Sequence, residues 1–175
     1  MPGPDKFSRF ERAILPHLDA AYNLARWLMR NEDEAADAVQ DACLRALRFI
    51  GSFRGGDGRV WLLAIVRNTC YSRLKRGAIR EQETEFDDEL HSPATEITNP
   101  EALLERSRDS ETLRQALEGL PEEFREVVVM RELEGMAYKQ IAEVAGVPLG
   151  TVMSRLARAR KRLQQTLVAA PPKES

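Results

Sequence analysis

The sequence predicts an all-α protein of two small helical domains joined by an acidic flexible linker, with a helix-turn-helix in the C-terminal domain. Apolar residues recur every three to four positions along most of the chain, and no alternation of period two bounded by hairpin turns occurs. The helical pattern fails in one central stretch, which divides the chain. The 175 residues, 43% of them hydrophobic, suffice for one or two domains with their own cores.

The first domain is predicted to span residues 1–78 and to contain three helices. Ser8 and Glu11 have the spacing of a capping box at the start of the first helix, which Pro16 should start or kink. Asn31 separates it from a second helix that ends at Gly51. The apolar stripe of this second helix consists of Val39, Cys43, Ala46, Leu47 and Ile50.

The third helix follows a glycine-rich loop, GSFRGGDGR, and runs from about residue 60 to residue 76. The loop lacks the Gly-Lys-Ser/Thr ending that holds nucleotide phosphates and magnesium, which argues against a P-loop. The predicted inward face of the helix comprises Leu62, Ile65, Val66, Thr69 and Leu74. Arg67, Asn68, Tyr71, Lys75 and Arg76 are predicted to remain outside.

The charge distribution marks the boundary between the domains. Residues 81–111 carry 11 acidic against 2 basic side chains, whereas residues 1–80 carry 9 acidic against 14 basic ones. Because like-charged runs usually stay solvated, this predicts a linker over residues 79–98. Asn99-Pro100-Glu101 reads as the start of a helix, and the second domain is predicted to span residues 99–170.

The segment YKQIAEVAGVPLGTVMSRLARARKRL has the order of a helix-turn-helix. A short helix is followed by a turn at Gly146-Val147-Pro148 and by a longer basic helix. Ile141 and Ala142 are predicted to face the core on one side of the turn, and Val152 and Leu156 on the other. Thr151, Met153, Ser154, Arg155 and Arg158 are then expected to point outward.

The second helix of this motif is basic without interleaved acids. Five cations lie within eight residues: Arg155, Arg158, Arg160, Lys161 and Arg162. Solvated helix faces usually mix both signs, so the bias favours phosphate binding. The alternative is an amphipathic helix that meets a membrane or an acidic partner, but such helices need no preceding helix and glycine turn.

Several classes of function have little support. Cys43 and Cys70 fall inside apolar helical patterns and far from His17 and His91, so neither a zinc site nor another cofactor is expected. The sequence shows neither a nucleophile with a nearby base nor a phosphate loop, so an enzyme with a small-molecule substrate is not expected. The absence of a long apolar run and of a leader-like N-terminus predicts no membrane insertion and a cytoplasmic location.

The segment LPEEFREVVVMRELEGMAYKQIAEVAGVPLGTVMSRLARARKRL resembles region four of the sigma-70 family of bacterial transcription initiation factors. AADAVQDACLRAL and WLLAIVRNTCYSRLKR resemble its region two. The two resemblances occur in the family's order and cover nearly the whole chain. With no room for a further domain, they match the extracytoplasmic-function (ECF) subgroup.

This resemblance implies a role for each domain. The C-terminal domain would read the minus-thirty-five duplex through Thr151, Met153, Ser154, Arg155, Arg158, Arg160, Lys161 and Arg162. The N-terminal domain would capture the minus-ten strand through Trp61, Arg67, Asn68, Tyr71, Lys75 and Arg76. Core packing is the alternative for Trp61. Met153 stands where the family often has Lys or Arg, and its apolar side chain cannot form the charged contact common there.

The resemblance also implies protein partners. Asp37, Gln40, Asp41 and Leu44 form a face that would bind the coiled coil of the largest subunit of core RNA polymerase; the flap is the second expected contact. A solvated surface is the alternative for this face. Members of the subgroup are commonly held by an anti-sigma factor, so such a partner is expected alongside promoter DNA.

Other readings remain. A sigma-like decoy or adaptor that binds an anti-sigma factor without reading DNA would be expected to lose the basic helix, which is intact here. A helix-turn-helix regulator with a receiver domain would need alternating strands in the first 80 residues.

Overall fold

The computed structural model describes residues 3–83 and 108–169, and these contain helices but no strand. They belong to two compact units, which confirms the all-α, two-domain prediction. The first unit consists of α1 (Gly3–Ala13), α2 (Leu18–Met29), α3 (Glu32–Phe49) and α4 (Gly58–Glu83), with 3-10 turns at Leu15–His17 and Ile50–Ser52. Helices α2, α3 and α4 pack against one another and enclose its core.

The start of the first unit differs from the prediction. Helix α1 begins at Gly3, so Ser8 is an interior residue and the predicted capping box is wrong. Pro16 lies in the 3-10 turn between α1 and α2, where its missing N–H removes no helical hydrogen bond. The single predicted first helix is therefore two helices.

Helix α3 begins after Asn31, where the sequence predicted a break between helices, but its packing differs from the prediction. The Asn31 side-chain oxygen accepts a hydrogen bond from the Glu34 N–H at 3.0 Å, which satisfies a free donor of the first turn. The buried face of α3 is a stripe of alanines, Ala35, Ala38, Ala42 and Ala46, each fully buried. Such small side chains allow neighbouring helices to approach closely. The predicted stripe residues Val39, Cys43 and Leu47 are only half-buried.

The glycine-rich loop before α4 is anchored at both ends. Phe53 is buried, with its ring centroid 5.2 Å from that of Trp61 and the guanidinium of Arg9 above its face. At the other end, the Asp57 carboxylate accepts from the Arg59 N–H at 2.9 Å and so caps α4. The tip of the loop is exposed, and Gly55 and Gly56 there have positive φ angles of 88° and 84°.

Gly58 is the point where α4 passes the end of α1. A Cβ atom at this position would lie 2.0 Å from the carbonyl oxygen of Ala13. Because that oxygen belongs to the backbone, a side chain cannot be accommodated by a rotamer change. Gly58 therefore sets the distance between α1 and α4.

We expect Gly58→Ala to destabilise the first unit by about 1–3 kcal/mol, since the added methyl forces two backbones apart. Both tryptophans of the chain, Trp27 and Trp61, lie in this unit, so urea unfolding followed by tryptophan fluorescence reports on it. Gly51→Ala is the matched control, because a Cβ there meets nothing within 4 Å. Equal midpoints for the two variants would contradict the role of Gly58.

The elements that follow along the chain are α5 (Arg108–Glu118), α6 (Glu122–Val128), a π-helical turn (Val129–Leu133), α7 (Tyr138–Ala145) and α8 (Leu149–Ala169), and most of their residues belong to the second unit. Helix α8 packs against α5 and α6. The predicted start of this domain at residues 99–101 lies outside the described residues. Helix α4 covers residues 79–83 of the predicted linker, and residues 84–98 also lie outside them.

A buried arginine closes the turn between α5 and α6. Arg125 is 2% exposed, and its guanidinium donates to the backbone carbonyls of Leu117 (3.2 Å), Glu118 (3.1 Å) and Leu120 (2.6 Å). The last carbonyls of a helix have no partners within the helix, and a cation at this end also suits the helix dipole. Arg125 thus fixes the angle at which α6 leaves α5.

We expect Arg125→Met to destabilise the second unit by on the order of 3 kcal/mol, because it leaves buried carbonyls without their charged donor. Hydrogen exchange of the α5 amides in the intact chain measures the effect. Arg158→Met replaces an exposed arginine of the same unit and should change stability by less than about 0.5 kcal/mol. Unchanged exchange in Arg125→Met would show that the turn closes without this cation.

Candidate nucleic-acid interface

Helices α7 and α8 form the predicted helix-turn-helix. Gly146 has φ +66°, which confirms the left-handed turn expected of it. The Val147 N–H donates to the Ala142 carbonyl at 3.2 Å, the bond that ends a helix in a Schellman motif. Pro148 then precedes the first residue of α8, so the chain reverses over three residues.

Buried apolar side chains hold the two helices of the motif in place. Ile141 on α7 is fully buried, as are Val152 and Leu156 on α8, which confirms their predicted core positions. The Gln140 side-chain oxygen accepts from the Ala137 N–H at 2.9 Å and completes the first turn of α7. These contacts determine which side of α8 faces away from the domain.

Ser154, Arg158 and Lys161 form the outer face of α8. All three are exposed, and at about 100° per residue they lie opposite the buried stripe. Gly150 and Ala157 share this side, so small residues separate the polar ones. An aligned hydroxyl and two cations can contact both phosphates and base edges of a duplex.

Three other predicted contact residues lie at the edges of this face. Met153 is 52% exposed on one edge, and Thr151 and Arg155 are half-buried on the other. Nη1 of Arg155 is buried and has no hydrogen-bond partner among the described residues. Because a buried donor without a partner is unfavourable, a hydrogen bond from this atom to an acceptor would lower the free energy.

Arg160 and Arg162 are engaged inside their own unit. Arg160 Nη2 lies 2.7 Å from Glu132 Oε1, and the hydrogen bonds to Glu132 and then Tyr138 raise the pKa of Arg160 above its usual value. The Arg162 guanidinium lies 4.9 Å from the centre of the Phe124 ring. The sequence offers no local signal for these contacts, since each partner is more than one helix away.

The predicted minus-ten residues lie along α4. Trp61, Asn68 and Lys75 are spaced by seven, so two helical turns bring each back to nearly the same outer side. Asn68 and Lys75 are exposed, whereas Trp61 is half-buried against Phe53. One part of the Trp61 side chain is thus packed inside the unit, and the other part is accessible from solvent.

Two basic residues and a tyrosine complete this surface. The Arg67 guanidinium lies 4.3 Å from the centre of the Tyr71 ring, and both side chains are half-buried. Arg76 is exposed. The face therefore offers aromatic rings, an amide and cations in a row, a combination suited to a single strand.

The predicted polymerase face lies on α3, opposite the alanine stripe. Asp37 and Gln40 are exposed, and Leu44 is 62% exposed. Asp41 differs, because its carboxylate forms an ion pair with Arg73 of α4 at 2.5 Å. Arg73 was not among the predicted residues, since the pair joins positions 32 apart in sequence.

The two cysteines of the chain, Cys43 and Cys70, are free thiols. The described residues contain no group of three or more His, Cys, Asp or Glu side chains that could hold a metal ion. Burial raises the pKa of the Cys70 thiol to about 12, although Arg73 opposes the shift, and burial also raises the pKa of Cys43. No described helix has the length and apolar character needed to cross a bilayer.

Both units match models of known protein regions. Residues 13–79 match sigma-70 region 2, and residues 110–163 match sigma-70 region 4. The first match covers α2, α3 and most of α4, and the second covers α5 to most of α8. The predicted minus-ten, polymerase and duplex residues all fall inside the matched ranges.

Individual relatives agree with these matches. The chain is 34% identical over 158 residues to the ECF RNA polymerase sigma factor SigE of Mycolicibacterium smegmatis, an alignment covering 90% of this chain and 61% of that protein. This chain thus spans about three-fifths of the length of that relative. It is 34% identical over 137 residues to the ECF RNA polymerase sigma-E factor of Escherichia coli K12, covering 74% of this chain and 72% of the other.

A solved structure shows the same fold. The sigma factor RpoE in its co-crystal structure with the anti-sigma factor NepR from Bartonella quintana is 29% identical to this chain and superposes with a TM-score of 0.75. The match covers 93% of this chain and 98% of that one.

Proposed function

Because this chain belongs to the ECF subgroup of the sigma-70 family, we propose that it binds bacterial core RNA polymerase and directs it to specific promoters. One observation carries the proposal most directly. The second helix of a helix-turn-helix presents Ser154, Arg158 and Lys161 in line on its outer side, in a chain that also contains region 2.

Helix α8 is proposed to read the minus-thirty-five duplex from the major groove. Ser154 and Arg155 lie near the start of the helix, where side chains reach base edges, and Arg158 and Lys161 follow on the next turns. Thr151 and Met153 flank them, and an apolar side chain such as Met153 can contact a thymine methyl. Arg160 and Arg162 have partners inside the unit, so their contacts to DNA would be secondary.

The outer side of α4 is proposed to hold the melted minus-ten strand. A displaced base can stack on aromatic rings such as Tyr71 and Trp61 and can bond to the Asn68 amide. Arg67, Lys75 and Arg76 supply the positive charge that a single strand requires.

The partners follow from the same assignment. The face formed by Asp37, Gln40, Asp41 and Leu44 is proposed to contact the coiled coil of the largest polymerase subunit, and the second unit the flap. An anti-sigma factor is proposed as a regulator, in keeping with the similar sigma factor whose structure was solved with one. The chain would act in the cytoplasm, where polymerase and promoters occur, without catalysing a reaction itself.

Reconstitution with purified core RNA polymerase tests the proposal. Transcripts from fragmented genomic DNA would be sequenced with and without the chain. Defined start sites that require the chain, preceded by two shared sequence elements, are expected. Transcription that is unchanged by the chain would refute the proposed function.

For the polymerase face, we expect Leu44→Arg to weaken binding to core polymerase about tenfold, as loss of an interface anchor does. The side chain is 62% exposed, so the free energy of unfolding should change by less than about 0.5 kcal/mol. Competition binding with a labelled wild-type chain measures the affinity. Leu15→Arg makes the same change at another exposed leucine of this unit. Equal losses for both variants would contradict the assignment of this face.

For the duplex face, we expect Lys161→Ala to weaken binding to all duplexes alike and to lower the slope of log affinity against log salt by about 0.9. The neighbouring Arg162→Ala should leave that slope unchanged, because its guanidinium stacks on Phe124. Fluorescence anisotropy of the full chain on a duplex library at several salt concentrations measures both. Equal slopes for the two variants would show that α8 does not divide its cations in this way.

A further inference from the structure

The ion pair between Arg160 and Glu132 lies at the edge of the face proposed to contact DNA. Arg160 follows Met153 by two helical turns on the same side of α8, next to Lys161. Its Nη2 atom is 2.7 Å from Glu132 Oε1, and the two side chains are 49% and 53% exposed. Tyr138 provides a second hydrogen-bond partner. The guanidinium is thus held by acceptors of its own domain while solvent, or a phosphate, can still reach it.

The acceptors are held in place by the backbone that carries them. Glu132 belongs to the π-helical turn, in which the Glu134 N–H donates to the Val129 carbonyl at 3.1 Å. Arg131 donates to the Met136 carbonyl at 2.8 Å, and Met136 is fully buried. The Arg131 guanidinium also lies 4.5 Å from the centre of the Tyr138 ring. Glu132 and Tyr138 therefore flank Arg160 as parts of an ordered segment.

The ion pair between Arg160 and Glu132 is not explained by a contribution to the free energy of folding. Ion pairs with both partners half exposed contribute little to folding, because water screens them and two long side chains are restrained. Their Coulomb interaction is nevertheless the same one that a DNA phosphate would make with Arg160. A carboxylate at this position competes with phosphate for the same donor.

We propose that Glu132 is a positioning residue that occupies Arg160 in place of a DNA phosphate and so lowers the affinity of α8 for DNA of arbitrary sequence. The inference rests on the proposed contact between α8 and duplex DNA. Binding without sequence preference comes mainly from phosphate contacts, so withdrawing one cation weakens it most. Ser154, Arg155 and Arg158 keep their access to the bases, and the preference for the correct sequence increases.

A double-mutant cycle on the full chain tests the proposal. The four proteins are the wild type, Glu132→Gln, Arg160→Gln and the double variant, and the probe is a duplex of arbitrary sequence at several salt concentrations. We expect Glu132→Gln to raise affinity about two- to fivefold, the equivalent of an exposed ion pair. The salt slope should steepen by about 0.9, since one further phosphate is neutralised. In the Arg160→Gln background, Glu132→Gln should change neither quantity.

Two controls separate the proposal from simpler effects. Glu123→Gln removes the same charge from an exposed position on α6 and should leave the salt slope unchanged. Thermal unfolding of each variant checks that the fold is retained, and Glu132→Ala, which also removes the acceptor, should act in the same direction as Glu132→Gln.

The other outcomes overturn the inference in distinguishable ways. An equal gain from Glu132→Gln in both backgrounds would indicate a general effect of charge. A loss of affinity would indicate that the pair presents Arg160 to DNA. Wild-type binding that does not depend on salt would refute the duplex contact of α8, and the inference with it.

Discussion

The buried guanidinium of Arg125 is the constraint on which the geometry of the second unit depends. It ties the carboxyl end of α5 to α6 through three backbone carbonyls, and α8 packs against both of these helices. The outer face of α8 is defined only relative to the side that is buried. A helix pair with a variable crossing angle would rotate that face, so the register of Ser154, Arg158 and Lys161 depends on a residue of another helix that bonds to backbone carbonyls.

The cations of α8 illustrate how tertiary structure divides a run of like charges. In the sequence the five cations are equivalent. In the fold, Arg158 and Lys161 face outward and Arg155 is half-buried. Arg160 bonds to a carboxylate, and Arg162 covers an aromatic ring. The number of cations in a helix therefore overestimates the number of phosphates that it can neutralise. Packing, not composition, determines the electrostatic strength of the surface.

Local patterns predicted the parts of the structure that local interactions determine. The turn at Gly146, the break between helices at Asn31 and the buried positions Val152 and Leu156 follow from backbone freedom, hydrogen bonding and helical period. The capping box at Ser8 failed because α1 begins earlier, at Gly3, so Ser8 lies inside the helix, away from the unpaired N–H groups of its first turn. Alanine gives little hydrophobic signal, so of the four buried alanines on α3 only Ala46 was predicted, and larger neighbours such as Val39 and Leu47 were favoured. Ion pairs such as Asp41–Arg73 join distant segments, and no spacing rule anticipates them.

The π-helical turn at Val129–Leu133 is a place where evolution can insert or remove one residue. A bond from residue 134 back to residue 129 encloses one residue more than an α-helical bond does, so the turn is what a single inserted codon produces in an ordinary helix. In a helix that stays regular, an inserted residue rotates the part before it by about 100° relative to the part after it, whereas the wider π turn takes up the extra residue locally. Gaining or losing one residue in this turn would therefore change the direction of a side chain such as Glu132 relative to α8, while every residue of α8 stays the same.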